Sequence, residues 1–240
     1  MYKNKKVIAI IPARSGSKGI KNKNIMKLNG MPLISYSISY AKKSKLIDRV
    51  FVSTDGKEIA NISKKFNAEI ISRPKNLCND IIMPDYAVIH GIKNVLQKLK
   101  YYFDYVVFLQ PTSPLRAKNE IDKAIKHCID KNLDTVFSSI NYKPFLWRKK
   151  GKFFSPISFN PKKRKRRQRI EDINETGSYY VVKAKSFLKH RNRFGKKISN
   201  YLSDFHSILE IDNMADHKYI ESLLKSNIPQ KNRIFVVEKK

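Results

Sequence analysis

The first half of the chain alternates short apolar runs with helix-period segments, and few folds accept that pattern. The runs are "KVIAIIP", "RVFVSTD", "AEIIS", "DYVVFLQP" and "DTVFSSI". Residues 7–11, "VIAII", have no polar side chain to turn toward water, so they predict a strand buried on both faces. Between the runs lie "PLISYSISYAKKS", "DGKEIANISKKF", "PDYAVIHGIKNVLQKL" and "KNEIDKAIKHCIDK", which read as helices. In the second of these, Asp55 is the expected N-cap, with Glu58 three residues on. Strands alternating with helices build βαβ units, so the expected class is α/β with a mainly parallel sheet and right-handed crossovers.

The rhythm breaks from 141 to 175. This stretch holds Pro144, Trp147, Pro156, Pro161 and the run "PKKRKRRQR", and reads as an inserted arm. "GSYYVVKAKSFL" restores a strand and a helix. "SILEIDNMADHKYIESLL" reads as one more strand and the last helix. The chain shows no internal repeat. Its 240 residues suit a single domain spanning 1–240, with the arm inside it.

A formal charge of +30 raises the question of a nucleic-acid partner. Lysine is abundant along the whole chain, however, so most of this charge is expected on solvated faces, and nucleic acid is not the expected partner. A basic surface still attracts polyanionic small substrates. Cys78 and Cys128 lie far apart with no metal-type spacing, which suits a reducing, cytoplasmic setting. No apolar stretch approaches the roughly 20 residues of a membrane span, and the first apolar run is too short for a signal peptide.

The polar residues gather where strands end. The first strand runs into Arg14, Ser15, Ser17, Lys18 and Lys23, the third into Arg73, and the fourth into "QPTSPLR", Gln110 to Arg116. "SILEI" runs into Asp212. In an open parallel sheet, ligands bind beyond the carboxyl ends of the strands. The first loop has neither the Walker A nor the G-x-G-x-x-G spacing, yet it carries phosphate-binding chemistry. Gly16 and Gly19 let backbone N–H groups approach oxygens, Arg14 offers a planar fork, and Lys18 and Lys23 offer point charges. "LQPTSPLR" is a polar loop stiffened by Pro111 and Pro114, suited to recognising a base or sugar. Glu210 and Asp212, two apart on the expected strand, point to one face. Beside a triphosphate such a pair suits Mg²⁺.

"IPARSGSKGIKNKN", "FVSTDGKEIA", "SRPKNL", "LQPTSPLR", "RRQ", "ETGSYYV" and "EIDNMAD" occur in this order along nearly the whole chain. Together they resemble the acylneuraminate cytidylyltransferases, the CMP-sialic acid synthetases and their relatives for other nonulosonic acids. The opening loop differs from the Ser-Thr-Arg pattern of the CMP-Kdo synthetases. The resemblance implies a three-layer, Rossmann-like nucleotidyltransferase fold. It implies attack by the anomeric hydroxyl of an acidic nine-carbon sugar on the α-phosphate of CTP, with Mg²⁺ required. Arg14, Lys18, Lys23 and Asp212 would be catalytic. Arg14, Ser15, Gly16, Ser17, Lys23, Asn24 and Arg73 would hold the nucleotide. Gln110, Thr112, Ser113 and Thr176 would line the sugar side, with Arg116 supporting the loop. Glu210 and Asp212 would bind the metal. The family dimerises through a mid-chain arm, so the 141–175 arm would bring Arg167 and Gln168 to the neighbouring subunit's site.

Three positions depart from the family pattern. Thr176 stands where Asn is usual, Glu210 where Asp is usual, and Ile81 where Thr is common. Sialic, pseudaminic and legionaminic acids all stay open as substrates. A basic RNA-binding descendant of the fold is the alternative from another class.

Overall fold

In a computed structural model, which describes residues 1–17, 19–79, 81–226, 235 and 237, the apolar runs become the middle of one sheet. The strands are β1 Val7–Pro12, β2 Lys27–Leu28, β3 Met31–Pro32, β4 Arg49–Thr54, β5 Glu69–Ser72, β6 Tyr105–Leu109, β7 Thr135–Ile140, β8 Trp147–Lys150, β9 Phe153–Pro156, β10 Asn174–Lys183 and β11 Ile198–Leu202. The helices are α1 Leu33–Lys43, α2 Lys57–Lys65, α3 Pro84–Gln97, α4 Glu120–Asp130, α5 Ala184–His190 and α6 Met214–Lys225. Seven strands form the main sheet in the order β11-β7-β10-β6-β1-β4-β5. β1 lies parallel between β4 and β6, β4 pairs parallel with β5, and β7 with β11. β10 alone runs antiparallel to its neighbours, β6 and β7.

β1 explains the layering. Val7, Ala9 and Ile11 pack with Ile34 and Ile38 of α1, Ile59 of α2 and Ile125 of α4. Ile8 and Ile10 face the opposite layer, with Val88 and Ile92 of α3 and Phe187 of α5. Both faces of the strand are therefore buried, as its unbroken apolar run requires. Each large aliphatic so buried contributes roughly 1.5–3 kcal/mol. A third cluster, which includes Ile20, Leu28, Leu115, Ile211 and Ile220, seats α6 against the loops that leave the sheet. No helix among the described residues is long and apolar enough to cross a membrane.

Two expectations fail locally. "SILEI" is not a strand: Phe205–Ile208 is a 3₁₀ turn, and residues 209–212 run on without a ladder. The sheet edge is occupied instead by β11, a half-exposed strand whose weak pattern hid it. Ile211 gives its N–H to the Thr112 carbonyl at 2.9 Å, outside any strand pairing. Asp55 does not cap α2, whose N-cap is Gly56. Its carboxylate instead accepts the Ser15 N–H at 2.9 Å and the Ser15 hydroxyl at 2.6 Å.

The segment between β7 and β10 leaves the sheet as the hairpin β8–β9. Gly151, at φ +59°, makes its turn. Phe153 is 80% and Phe154 63% exposed. Phe145 and Trp147 both pack edge-on against Phe159, and the Arg164 guanidinium lies 3.8 Å from the Phe145 ring centre.

Candidate active site

A cleft of about 470 Å³ opens beyond the carboxyl ends of β1, β5 and β6. That size lies within the usual range for a small-molecule site. One side carries Arg14, Ser17, Gly19, Lys23 and Asn24; Gln110, Pro111 and Thr112 come from the loop after β6. Arg73 and Asp212 also line it. Leu77, Ile82, Met83, Pro84 and Ala87 add an apolar wall.

The opening loop is anchored at several points. Ala13 extends β1 by one bond to the Ser53 carbonyl, and Ser15 is tied to Asp55 as described. The Asn24 side-chain amide, itself buried, donates to the Arg14 carbonyl at 2.9 Å. Arg14 Nη1 reaches the Cys78 carbonyl at 3.3 Å, linking the loop to the segment after β5. Asn22 adopts the left-handed conformation at φ 57° and turns the chain into the 3₁₀ turn Lys23–Ile25. Lys23 Nζ then donates to the Ile211 carbonyl at 2.9 Å and pairs with Asp212 at 3.0 Å. The Lys23 side chain is 15% exposed and that of Asp212 70%, so this cation is fixed while the carboxylate stays open to the cleft.

Gly19 is the glycine this arrangement requires. A Cβ there would lie 2.6 Å from the Asp212 carbonyl oxygen, whereas one on Gly16 would meet nothing within 4 Å. Asp212 is held from the other side by the start of α6. The Asp216 carboxylate accepts the N–H groups of Asp212 and Asn213 at 2.9 and 3.0 Å, completing a capping box with Asn213.

Arg73 is almost wholly buried and bonds Ser53 through its side-chain and backbone oxygens. Burial lowers its pKa. Glu210 accepts from the Ser113 hydroxyl at 3.0 Å. Burial raises its pKa, the Ser113 bond opposes that, and the neighbouring Asp212 charge raises it further. Arg116 is fully buried. It donates to the Gln110 and Ser178 carbonyls at 2.7 and 2.9 Å and to the Ser37 hydroxyl at 3.1 Å, and burial pushes its pKa down to about 10. It therefore splints the "LQPTSPLR" loop onto β10.

The cleft gathers Arg14, Ser17, Lys23, Asn24, Arg73, Gln110, Thr112 and Asp212. Lys18 lies outside the described residues. Ser15 and Ser113 stand one step back, committed to Asp55 and Glu210. Thr176 is buried with its hydroxyl 2.6 Å from that of Ser138, a bond across to β7. Arg167 and Gln168 sit in the exposed 3₁₀ turn Arg167–Arg169 of the arm and do not line this chain's cleft. Sequence reasoning missed Gly177, at φ +71°, where a Cβ would come within 2.7 Å of Glu210 Oε1 and 3.0 Å of Gln110 Nε2. The apolar wall was also missed: Leu77 closes the motif "SRPKNL", while Ile82, Met83, Pro84 and Ala87 belong to a loop and a helix start outside any motif.

The family described as Cytidylyltransferase matches residues 8–240. The chain belongs to the cytidylyltransferase family. Among curated relatives, this cytidylyltransferase is 31% identical to the N-acylneuraminate cytidylyltransferase of Escherichia coli over 94% of its own length. It spans about half of that longer protein, 54%. It is 30% identical to a pseudaminic acid cytidylyltransferase of Campylobacter jejuni, covering 92% of this chain and 97% of that one. A CMP:2-keto-3-deoxy-manno-octonic acid synthetase solved with CTP shares the fold at a TM-score of 0.66 and 16% identity, over 91% of this chain and 98% of that one. The Rossmann-like three-layer architecture is shared across that distance.

Proposed function

We propose that this cytidylyltransferase activates a nonulosonic acid with CTP, giving the CMP-sugar and pyrophosphate. The anomeric hydroxyl oxygen bonds to the α-phosphorus as the bond to the β-phosphate oxygen breaks, and pyrophosphate leaves with that electron pair. The observation that carries this reading is Lys23, fixed between the opening loop and Asp212 at 2.9–3.0 Å. A held cation next to an open carboxylate suits a triphosphate and the charge that builds on it. Arg14 adds a second cation, and Arg73 supports the nucleotide from the cleft floor. Gln110 and Thr112 face the acceptor. Ser113 serves it indirectly, through Glu210.

Glu210 and Asp212 fit a magnesium ion: Asp212 lines the cleft beside Lys23, the partly buried Glu210 carboxylate stands two residues before it, hydrogen-bonded to Ser113, and Mg²⁺ is commonly held by one or two carboxylates plus phosphate oxygens. Bound there, Mg²⁺ supplies charge neutralisation for the phosphates. Asp212, the more open of the two, takes the hydroxyl proton. A second copy of the chain covers the exposed aromatic hairpin and receives Arg167 and Gln168 from its neighbour, as a homodimer. Both cysteines are free, which agrees with a cytoplasmic enzyme that supplies activated sugar for surface glycans.

Sialic and pseudaminic acid enzymes are matched at 31% and 30% identity, so similarity does not choose between acceptors. The test is incubation with CTP, Mg²⁺ and sialic, pseudaminic or legionaminic acid in turn, with products read by mass spectrometry. One CMP-conjugate formed from CTP, and none from other nucleoside triphosphates, is the expected result. Tight CTP binding with no conjugate from any acid counts against the acceptor class. Absence of CTP binding removes the whole reading.

A further inference from the structure

Among the described residues, the most buried ion pair beside the cleft has no part in the chemistry above. Asp85, in the first turn of α3, is 1% exposed, and its partner Arg193, in the loop between α5 and β11, is 11% exposed. Asp85 Oδ1 accepts the Arg193 N–H at 2.8 Å and Nε at 3.1 Å, and Oδ2 accepts Nη2. The guanidinium lies 4.6 Å from the Phe108 ring centre and 4.5 Å from that of Tyr180. These two rings stack on each other, and the Tyr180 hydroxyl donates to Glu175.

Stability alone is a poor reason for such a pair, because well-packed apolar residues commonly do as well. Its location offers a better one. Met83, Pro84 and Ala87, around Asp85, form part of the apolar wall of the cleft. Phe108 is two residues before Gln110, whose side chain donates to the Gly177 carbonyl at 2.8 Å. The pair therefore joins the wall at the start of α3 to β6 and β10, which carry and brace the Gln110–Thr112 side of the cleft. The phosphate cations lie on the β1 side.

We propose that Arg193 is a positioning residue that sets the acceptor side of the cleft. With Asp85 it fixes the first turn of α3, and through Phe108 and Tyr180 it holds that turn in register with Gln110 and Gly177. That this is the acceptor side rests on the cytidylyl-transfer reading. A planar, bidentate fork lying against both rings is needed, so lysine is a poor substitute.

The test uses the full chain with Arg193→Met, Arg193→Lys and Asp85→Asn. Three quantities are read: amide hydrogen exchange over 85–90, CTP affinity by calorimetry, and KM for the acceptor acid. In Arg193→Met, exchange over 85–90 rises about 10-fold or more as the turn opens locally. The acceptor KM rises about 10-fold while CTP affinity stays within about twofold, since the misplacement is confined to one wall. Arg193→Lys recovers only part of either effect. Unchanged exchange in folded Arg193→Met overturns the proposal, as does an equal loss of CTP and acceptor binding, which marks a general structural role. Should Arg193→Met fail to fold, Asp85→Asn keeps the side-chain shape and is judged on the same quantities. A wild type inert toward every acid refutes the substrate reading, while the exchange result still decides the role of Arg193.

Discussion

Two glycines three residues apart in the opening loop should respond oppositely to the same change. In Gly19→Ala the new Cβ starts 2.6 Å from the Asp212 carbonyl oxygen, where an ordinary contact needs at least 3.4 Å. Gly19 has no left-handed φ, so the alanine backbone itself is unstrained and the conflict is purely with Asp212. A backbone oxygen cannot rotate aside. About 0.8 Å of separation must come from moving the loop or residue 212, and with it the Lys23–Asp212 contact. A shift near 1 Å at a reacting centre costs on the order of 10²-fold in rate. Gly19 is exposed, so global stability should fall by less than about 1 kcal/mol. Gly16→Ala meets nothing and should keep near-wild-type turnover. The assay is continuous pyrophosphate release beside thermal melts of both variants. Turnover of Gly19→Ala within about threefold of wild type, or an equal loss in Gly16→Ala, refutes the reasoning.

Lys23→Ala should lose about 10²–10³-fold in kcat/KM with a melting temperature within a few degrees of wild type, because it removes charge stabilisation and not core; steady-state kinetics and calorimetry check both halves. Arg116→Met should destabilise the fold by about 2–4 kcal/mol in denaturant titration, since the Gln110 and Ser178 carbonyls lose their buried donor. The pKa of Glu210 is raised in the folded chain, so the native state holds its proton to higher pH than the unfolded state does. Stability from this group therefore falls as pH rises from the ordinary carboxylate range through the raised value. Glu210→Gln should remove that loss, being at least as stable as wild type at neutral pH while losing the magnesium-dependent rate. A variant less stable than wild type across pH 4–8 would falsify this reading of Glu210.

The fold was legible because β1, β4, β6 and β7 are largely buried runs, with the shorter β5 at the edge, separated by segments with helical period. Their order forced a parallel sheet, and the parallel sheet forced the cleft to its carboxyl edge, so Arg14, Lys23, Arg73 and Gln110 could be grouped in advance. What failed depended on competition that local pattern does not record. "SILEI" is as strand-like as "AEIIS", but the sheet edge belongs to β11 and Ile211 bonds to Thr112. Asp55 has the spacing of an N-cap, yet two donors on Ser15 outbid one helix end. Thr176 follows Glu175 in a motif, and its hydroxyl turns to Ser138. Gly177 matters through a 2.7 Å approach to Glu210, a long-range contact no stretch of sequence displays.

The most direct test of the central claim is a crystal structure of the chain with CTP and Mg²⁺. The account predicts the triphosphate in the cleft beyond β1, with phosphate oxygens about 3 Å from Lys23 Nζ and the Arg14 guanidinium and the metal on Glu210 and Asp212. A triphosphate bound elsewhere, with Lys23 still paired only to Asp212 and the Ile211 carbonyl, would contradict it.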